Sequence, residues 1–407
     1  MSVGCWRRAA GIGSLLLVCS LGFGAWTQQT SGTSANLNAV HFPEGTQVGY
    51  AVGLAGTILK TTDGGSSWVA ESSHTGNALN SVYFKDNDTG FAVGSRGAVV
   101  STTDGGTTWT ASTVGNDPLN YVRFPSNGQI GYIGVGPASI ASKVFKTTDG
   151  GANWTPITVG GVADWSTSCA FATDNQGVVV GRGGMVFGTT NGLDSTKAQE
   201  PNTDVNMVAA AFSPTDPNEG YLIGNDSNGG VVRYTRAFGQ PGWDTVLCSP
   251  VTALYAVDMP TSDTAYFSGD SGFIGVSASS IIIWRTTTST SVRIRGLCFP
   301  AGADTGYAVG FAGTILKTTD AGAPWRPGVA EGKAPAVRPA GVRILSNPCR
   351  LGIALQSDAA VSIVVFDAAG RAVRSQAAAK GTTFLPLKTG AYFVRAGTQT
   401  TRAVVTD

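Results

Sequence analysis

The chain has 407 residues, a formal net charge of +1, 42 % hydrophobic residues and 13 % charged ones. That hydrophobic share excludes disorder as the main state, and the near-zero charge excludes the basic footprint of a nucleic-acid binder. Glycine is abundant at 56 residues but does not fall at every third position, which excludes a collagen-like helix, and two histidines leave little for a histidine-based zinc site or catalytic triad.

At the N-terminus Arg7 and Arg8 precede an apolar run from Ala9 to Ala25. A basic start, a short apolar core and small residues at Gly22, Gly24 and Ala25 form a secretory signal pattern. Residues 1–25 therefore read as a signal peptide, with the mature chain starting between Ala25 and Gln28. The run is shorter than the ~20 residues of a spanning helix, and no later stretch reads as a transmembrane segment. Cys5 and Cys19 leave with the signal. Cys169, Cys248, Cys298 and Cys349 are scattered, with no CxxC spacing, so they read as buried thiols or one disulfide rather than as a metal site.

Residues 33–330 repeat, and the repeat decides the fold. The clearest unit is Lys60-Thr61-Thr62-Asp63-Gly64-Gly65-Ser66-Ser67-Trp68, which returns around Asp104 and Trp109, Asp149 and Trp154, and Asp320 and Trp325. A worn copy is Thr189-Thr190-Asn191-Gly192. A strand ending in Phe opens each unit (Phe42, Phe84, Phe124, Phe171, Phe212, Phe299), with Met259 in the sixth. A second strand of the type Gly49-Tyr50-Ala51-Val52-Gly53 follows each time. Seven units of roughly 42 residues, each reading as four short strands, predict a seven-bladed β-propeller. In each Asp-Gly-Gly-x-x-Trp box the glycines permit positive φ and the carboxylate caps turn amides. The Trp packs between blades and its N–H needs a polar partner.

A site in such a ring lies on the face made by the links between blades and by the loops between second and third strands. The charged residues of those loops are Arg96, Arg182, Asp226 and Asp270. The first strands add a ring at one aligned position: Asn38, Asn80, Asn120, Thr167, Val208, Tyr255 and Arg295. The arginines suit carboxylate, sulfate or phosphate groups because their fork is bidentate. The bland reading is a solvated channel mouth with Asn capping strand ends.

Residues 331–341 are rich in Pro and Ala and read as a linker. From 342 to 407 short alternating strands such as Val361–Asp367 and Gly390–Arg395 suggest a small β-sandwich, giving an all-β chain throughout.

The boxes resemble the Asp-box, or BNR repeat, of sialidases and related propellers. The longer spacing through Gly53, Gly56, Ile58 and Asp63, and again through Gly310, Gly313, Ile315 and Asp320, is similar to photosystem II assembly and stability factor-like propellers. In those families the boxes are structural and lie away from the binding face. Asn347-Pro348, Phe366-Asp367-Ala368-Ala369-Gly370-Arg371 and Gly390 to Arg395 resemble the type A sorting domain of the type IX secretion system, with Arg402 where Lys is commoner. That resemblance implies a partner in the type IX machinery. The resulting expectation is a secreted or outer-membrane surface propeller that binds protein or glycan without catalysis, cofactor or metal. An assembly or stability factor for a membrane protein complex is the alternative. A sialidase-like glycoside hydrolase needs three arginines, a Tyr–Glu pair and an acid Asp. Glu44, Glu71, Glu200 and Glu219 all fall outside the second-to-third-strand loops.

Overall fold

The structure, a computed structural model, describes residues 26–320 apart from 127, 137–142, 160–165, 199–204, 236–237, 239–242, 247–251, 263, 279–280, 284–289 and 301–303, and residues 342–406 apart from 345–348, 351, 358–360, 368–371, 379–380, 389 and 397–398. The signal segment, the linker, Trp325 and Cys248 thus lie outside the described residues. The chain divides into two units, Met1–Pro324 and Trp325–Asp407.

The first unit is a ring of small antiparallel sheets, seven of them four-stranded among the described residues. The first sheet runs Leu37–His41, Gly49–Gly53, Ile58–Thr61 and Val69–Glu71 from the centre outward. The innermost strands of the next six sheets are Leu79–Phe84, Leu119–Arg123, Ser166–Phe171, Asn206–Phe212, Leu254–Thr261 and Ile294–Cys298. Each innermost strand touches the next, and Ile294–Cys298 touches Leu37–His41, which closes the circle.

The seventh sheet takes its outer strand from the other end of the chain. Thr27–Gln29 pairs antiparallel with Ile315–Thr318, and Thr27 Oγ1 donates to the Lys317 carbonyl at 3.0 Å. The sequence reading starts the propeller at residue 33 and places the last fourth strand after the Asp320 box; the sheet instead begins at Thr27. Sharing one sheet between the two ends turns a seam into a ladder of backbone hydrogen bonds. Trp26, 4 % exposed, anchors the strand with an edge-on contact to Phe299 at 5.9 Å.

Two marks of the repeat are one packing device. The Phe that ends each first strand lies over the Gly that opens the second: Phe42 over Gly49, Phe84 over Gly90, Phe124 over Gly131, Phe299 over Gly306. A Cβ on any of these glycines would stand inside the ring. The sixth unit departs at both positions together, pairing Met259 with Ala265, both fully packed. A flexible thioether leaves space for the methyl that a rigid ring does not.

The second unit has a three-stranded sheet (Val342–Ile344, Gly352–Ser357, Gly381–Pro386) and a five-stranded one built on Val361–Asp367, Gly390–Ala396 and Gln399–Thr406. Leu385 of the first and Ile363, Val365 and Val394 of the second are buried. Arg395 lies over the Phe366 ring at 5.2 Å.

The Phe–Gly device predicts a coupled pair. Gly90→Ala should cost about 1–3 kcal/mol by overpacking. Phe84→Met introduced beside it should recover at least about 0.5 kcal/mol relative to the sum of the single changes. Denaturant unfolding of the four proteins of the cycle measures this, and strict additivity would contradict the packing account.

Candidate functional site

The two faces of the ring are built differently. On one face the box turns are tied to the first-to-second-strand turns, as when Gly64 N donates to Gln47 O and Gly105 N to Asp88 O, each at 2.9 Å. Within a box the carboxylate is fully occupied. Thr61 Oγ1 donates to Asp63 Oδ1 at 2.8 Å, while Ser67 N at 2.9 Å and Ser67 Oγ at 2.6 Å donate to the same carboxylate. Asp104 and Asp149 repeat the pattern with Thr108 and Asn153, and Asp320 receives Thr318 Oγ1 at 2.7 Å. Hydrogen bonds from Ser67, Thr108 and Asn153 hold Asp63, Asp104 and Asp149 down to about 2. The worn box keeps the same geometry without charge: Ser195 N donates to Asn191 Oδ1 at 3.0 Å, and Asn191 Nδ2 donates to Ser195 Oγ at 2.9 Å.

The box tryptophans sit between sheets in aromatic cages. Trp109 meets Phe84 at 5.8 Å and Tyr50 at 6.2 Å, both edge-on, and Trp154 meets Phe124 and Phe91. Sequence reasoning requires a polar partner for each indole N–H. Instead Nε1 of Trp68, Trp109 and Trp154 is buried without an acceptor. An unmet N–H costs roughly 1–3 kcal/mol, whereas burying ~200 Å² of ring returns about 5, so packing wins.

The opposite face carries the hairpins between second and third strands. Leu54–Gly56, Ser95–Gly97, Arg182–Gly184 and Phe311–Gly313 are tight two-residue turns with positive φ at both centres, for example Ala55 at 54° and Gly56 at 70°. This mirror-image turn matches the right-handed twist of the strands. Arg96 holds φ 57° there, but so do Ala55 and Ala312 at 54°, so the strain belongs to the turn and does not single out Arg96. Three of these hairpins are tied to the preceding link, by Leu54 N to Asn36 O at 2.9 Å, Ser95 N to Ala78 O at 2.8 Å and Phe311 N to Arg293 O at 3.0 Å.

The aligned ring of first-strand residues is a ring of β-bulges. Strand pairing skips one residue at Asn38, Asn80, Asn120, Thr167, Val208, Tyr255 and Arg295 in turn. A bulge re-aims its extra side chain. In the first half of the ring that side chain clasps the neighbouring sheet. Asn38 Nδ2 donates to Leu79 O at 2.8 Å, Asn80 Nδ2 to Leu119 O at 3.0 Å, Asn120 Nδ2 to Thr167 O at 3.1 Å and Thr167 Oγ1 to Met207 O at 2.5 Å. The amide donors named as ligand candidates are therefore spent on carbonyls of the next sheet. At Val208 the chain of clasps breaks, and Asn225 substitutes, donating to Leu254 O at 3.0 Å and accepting from Leu254 N at 2.7 Å.

Beyond the break the bulges carry different chemistry. Tyr255 Oη donates to Asp270 Oδ2 at 3.2 Å, and Arg293 Nε donates to Asp270 Oδ1 at 2.5 Å. The Arg293 guanidinium stacks over Tyr255 at 4.7 Å and over Phe311 at 5.1 Å, and Arg295 covers Tyr255 at 5.5 Å. Two guanidiniums thus flank the Tyr255 ring, and the Asp270 carboxylate is paired with that of Arg293. Burial, then the charge of Arg293, pushes Arg295 downward, while the hydrogen bond it donates to Asp270 raises Arg293. Beside this cluster an open hollow of about 520 Å³ lies between residues 28–34 and the Ala312–Gly313 turn.

Of the charged loop residues, Asp226 is absorbed by its own turn, accepting from Asn228 N at 2.6 Å and Gly229 N at 3.0 Å. Arg96 and Arg182 are exposed on the second and fourth sheets, so three sectors of the ring carry Arg96, Arg182 and Arg295. Arg293 escaped sequence reasoning because it precedes the aligned bulge. Its alternation with Arg295 next to the Asp270 hairpin was the available signal.

A family model described as photosynthesis system II assembly factor YCF48 matches residues 70–162, which span the second and third sheets. No curated protein matches the chain. Among solved structures, one described as YCF48 bound to D1 peptide aligns with a TM-score of 0.59 at 20 % identity, covering 74 % of this chain and 98 % of that one. YCF48 from Cyanidioschyzon merolae aligns with 0.59 at 17 % identity, covering 72 % and 98 %. An ancestral GH74 enzyme aligns with 0.60 at 13 % identity, covering 91 % of this chain and 53 % of its own. These likenesses establish the all-β propeller fold.

Because Asn191 serves in a box unaided by charge, Asp104→Asn should leave stability near neutral pH almost unchanged. The depressed box carboxylates stabilise the fold above about pH 4 and lose that contribution as pH falls toward 2. The variant should flatten this part of the pH–stability curve. An acid limb as steep as the parent's would contradict the assignment.

Proposed function

We propose that the chain is an exported, non-catalytic propeller whose turn face binds an acidic segment of a protein partner at the sixth and seventh sheets. The observation that carries this reading is the excess positive charge of Arg293 and Arg295 over Asp270, framed by the aromatic rings of Tyr255 and Phe311. An acidic side chain meets one guanidinium already oriented by Asp270 and a second stacked on Tyr255, in a partly desolvated setting where such pairs are strongest. Arg96 and Arg182 extend the positive rim. The structure of YCF48 with D1 peptide is a precedent for a propeller of this shape with a peptide ligand. Assembly or stabilisation of a larger complex is a use to which the same peptide-binding face lends itself.

Glycoside hydrolysis is less well served. Among the described carboxylates of the face, Asp226 is held by turn amides, Asp270 by Arg293 with Tyr255, and Asp117 lies 3.7 Å from Lys143 Nζ. Export rests on the signal pattern of residues 1–25, and surface delivery on the likeness of residues 342–407 to type IX sorting domains.

A fluorescent acidic peptide of alternating Glu and Ser should bind the purified chain, and binding should weaken as salt rises. The double variant Arg293→Ala, Arg295→Ala should weaken it at least about tenfold, the scale of 1.4 kcal/mol. Binding indifferent to both variant and salt would reject the site. For export, N-terminal sequencing of surface or secreted material should start between Ala25 and Gln28. Recovery only of an intact Met1 chain in the cytosol would reject that half of the reading.

A further inference from the structure

The strand that completes the seventh sheet is seated in the way a box tryptophan seats its own strand. In the first two sheets the box Trp meets the Phe of its own first strand edge-on, and a Tyr of the preceding sheet stacks on that Phe. Trp68 meets Phe42 at 6.0 Å with Tyr307 on Phe42 at 3.8 Å, and Trp109 meets Phe84 at 5.8 Å with Tyr50 on Phe84 at 3.8 Å. Trp26 reproduces both contacts, edge-on to Phe299 at 5.9 Å with Tyr266 stacked on Phe299 at 3.8 Å. The register agrees. The residue after the Trp pairs with the residue three before the box Asp: Val69 with Lys60, Thr110 with Ser101, Thr155 with Lys146 and Thr27 with Lys317. All four residues after the Trp are β-branched.

Trp26 thus holds the seat that the spacing of the repeat assigns to Trp325. The seventh box departs from the others at a position that accounts for this. Asp63, Asp104, Asp149 and Asn191 each accept from the backbone N–H of the residue four further on, Ser67, Thr108, Asn153 and Ser195. In the seventh box that residue is Pro324, which has neither an N–H nor a polar side chain. The turn that delivers the other tryptophans cannot form its bond there, and the cage and sheet edge take a segment that enters from outside the repeat.

The hold on that segment is narrow. Thr27, Gln28 and Gln29 pair with Lys317, Leu316 and Ile315. Thr27, Gln28, Thr30, Gly32 and Ser34 are exposed, and the hollow of about 520 Å³ lies between residues 28–34 and the Ala312–Gly313 turn. A short exposed strand beside unfilled space belongs to the low-stability end of a fold and opens before the core does. What the seat recognises is an indole followed by a few residues in extended conformation, and neither needs a covalent link to the ring. We propose that the Phe299–Tyr266 cage and the outer edge of the seventh sheet form an acceptor site for extended peptides that begin with Trp and a β-branched residue. Trp26–Gln29 occupies the site in cis as an exchangeable ligand, and a partner's segment of the same chemistry enters when that strand lifts away. The site is separate from the acidic-peptide face, because Trp26 enters at the box-turn end of the sheet, next to Lys317 and Asp320.

A peptide with the sequence of residues 26–31, fluorescently labelled at its C-terminus, tests this by anisotropy against the full chain and its Trp26→Ala variant, which empties the cage. The peptide should bind the variant at least about tenfold more tightly than the parent, whose own strand competes for the seat. A peptide with Ala in place of its Trp should bind the variant at least about tenfold more weakly than the original peptide. Equal binding to the two chains, no binding to the folded variant, or indifference to the peptide's tryptophan overturns the proposal. Should Trp26→Ala fail to fold, amide exchange of the unaltered chain decides. The amides of Thr27–Gln29 should exchange at least about tenfold faster than those of the corresponding strands Val69–Glu71 and Thr110–Thr113. Exchange no faster than in those strands overturns the proposal.

Discussion

The ring stands on one repeated contact: an aromatic on a second strand stacked on the Phe of the next sheet's first strand, with its hydroxyl hydrogen-bonded beyond it. Tyr50 stacks on Phe84 at 3.8 Å and donates to Gly105 O at 2.6 Å. Tyr307 stacks on Phe42 at 3.8 Å and donates to Gly64 O at 2.8 Å, so the last sheet grips the first by the same means. Burial pushes the Tyr50 and Tyr307 hydroxyls up to about 12, which keeps them neutral donors. A sheet of four short strands cannot cover both its faces alone. Each therefore depends on its neighbours, and the Trp cages, the Phe–Gly pairs and the box turns all serve this interface.

That dependence explains how the fold carries function without losing its frame. The bulge at the head of each first strand is a fixed backbone feature, but its side chain is free to differ. In the first four sheets it clasps the neighbour through Asn or Thr. In the fifth it is Val208, whose clasp Asn225 of the adjacent strand takes over, and in the sixth and seventh it is Tyr255 and Arg295. Charge gathers where the clasp is not needed. The Arg293–Asp270 pair then orients the site rather than holding the ring together.

Much of this was legible in the sequence. The Phe marks, the Gly-Tyr-Ala-Val-Gly strands and the boxes are local, and each is repeated by a contact the fold cannot do without. The aligned position of Asn38, Asn80, Asn120, Tyr255 and Arg295 was also visible, but not its meaning, because a clasp to the next sheet's carbonyl is a long-range contact. Arg293 was missed for the same reason: its partner Asp270 lies in another unit. The N-terminal strand's place in the last sheet left no signal, since Thr27–Gln29 is too short to read as a strand without Ile315–Thr318 beside it. The indole N–H groups misled because packing area outweighs a hydrogen bond at those sites.

The most direct test of a peptide-binding turn face is amide hydrogen exchange with and without the acidic peptide. New protection should concentrate in residues 253–256, 269–273, 291–296 and 309–314, with the box turns around Asp63, Asp104 and Asp149 unchanged. Protection confined to the box turns, or to the outer strands, would contradict the account.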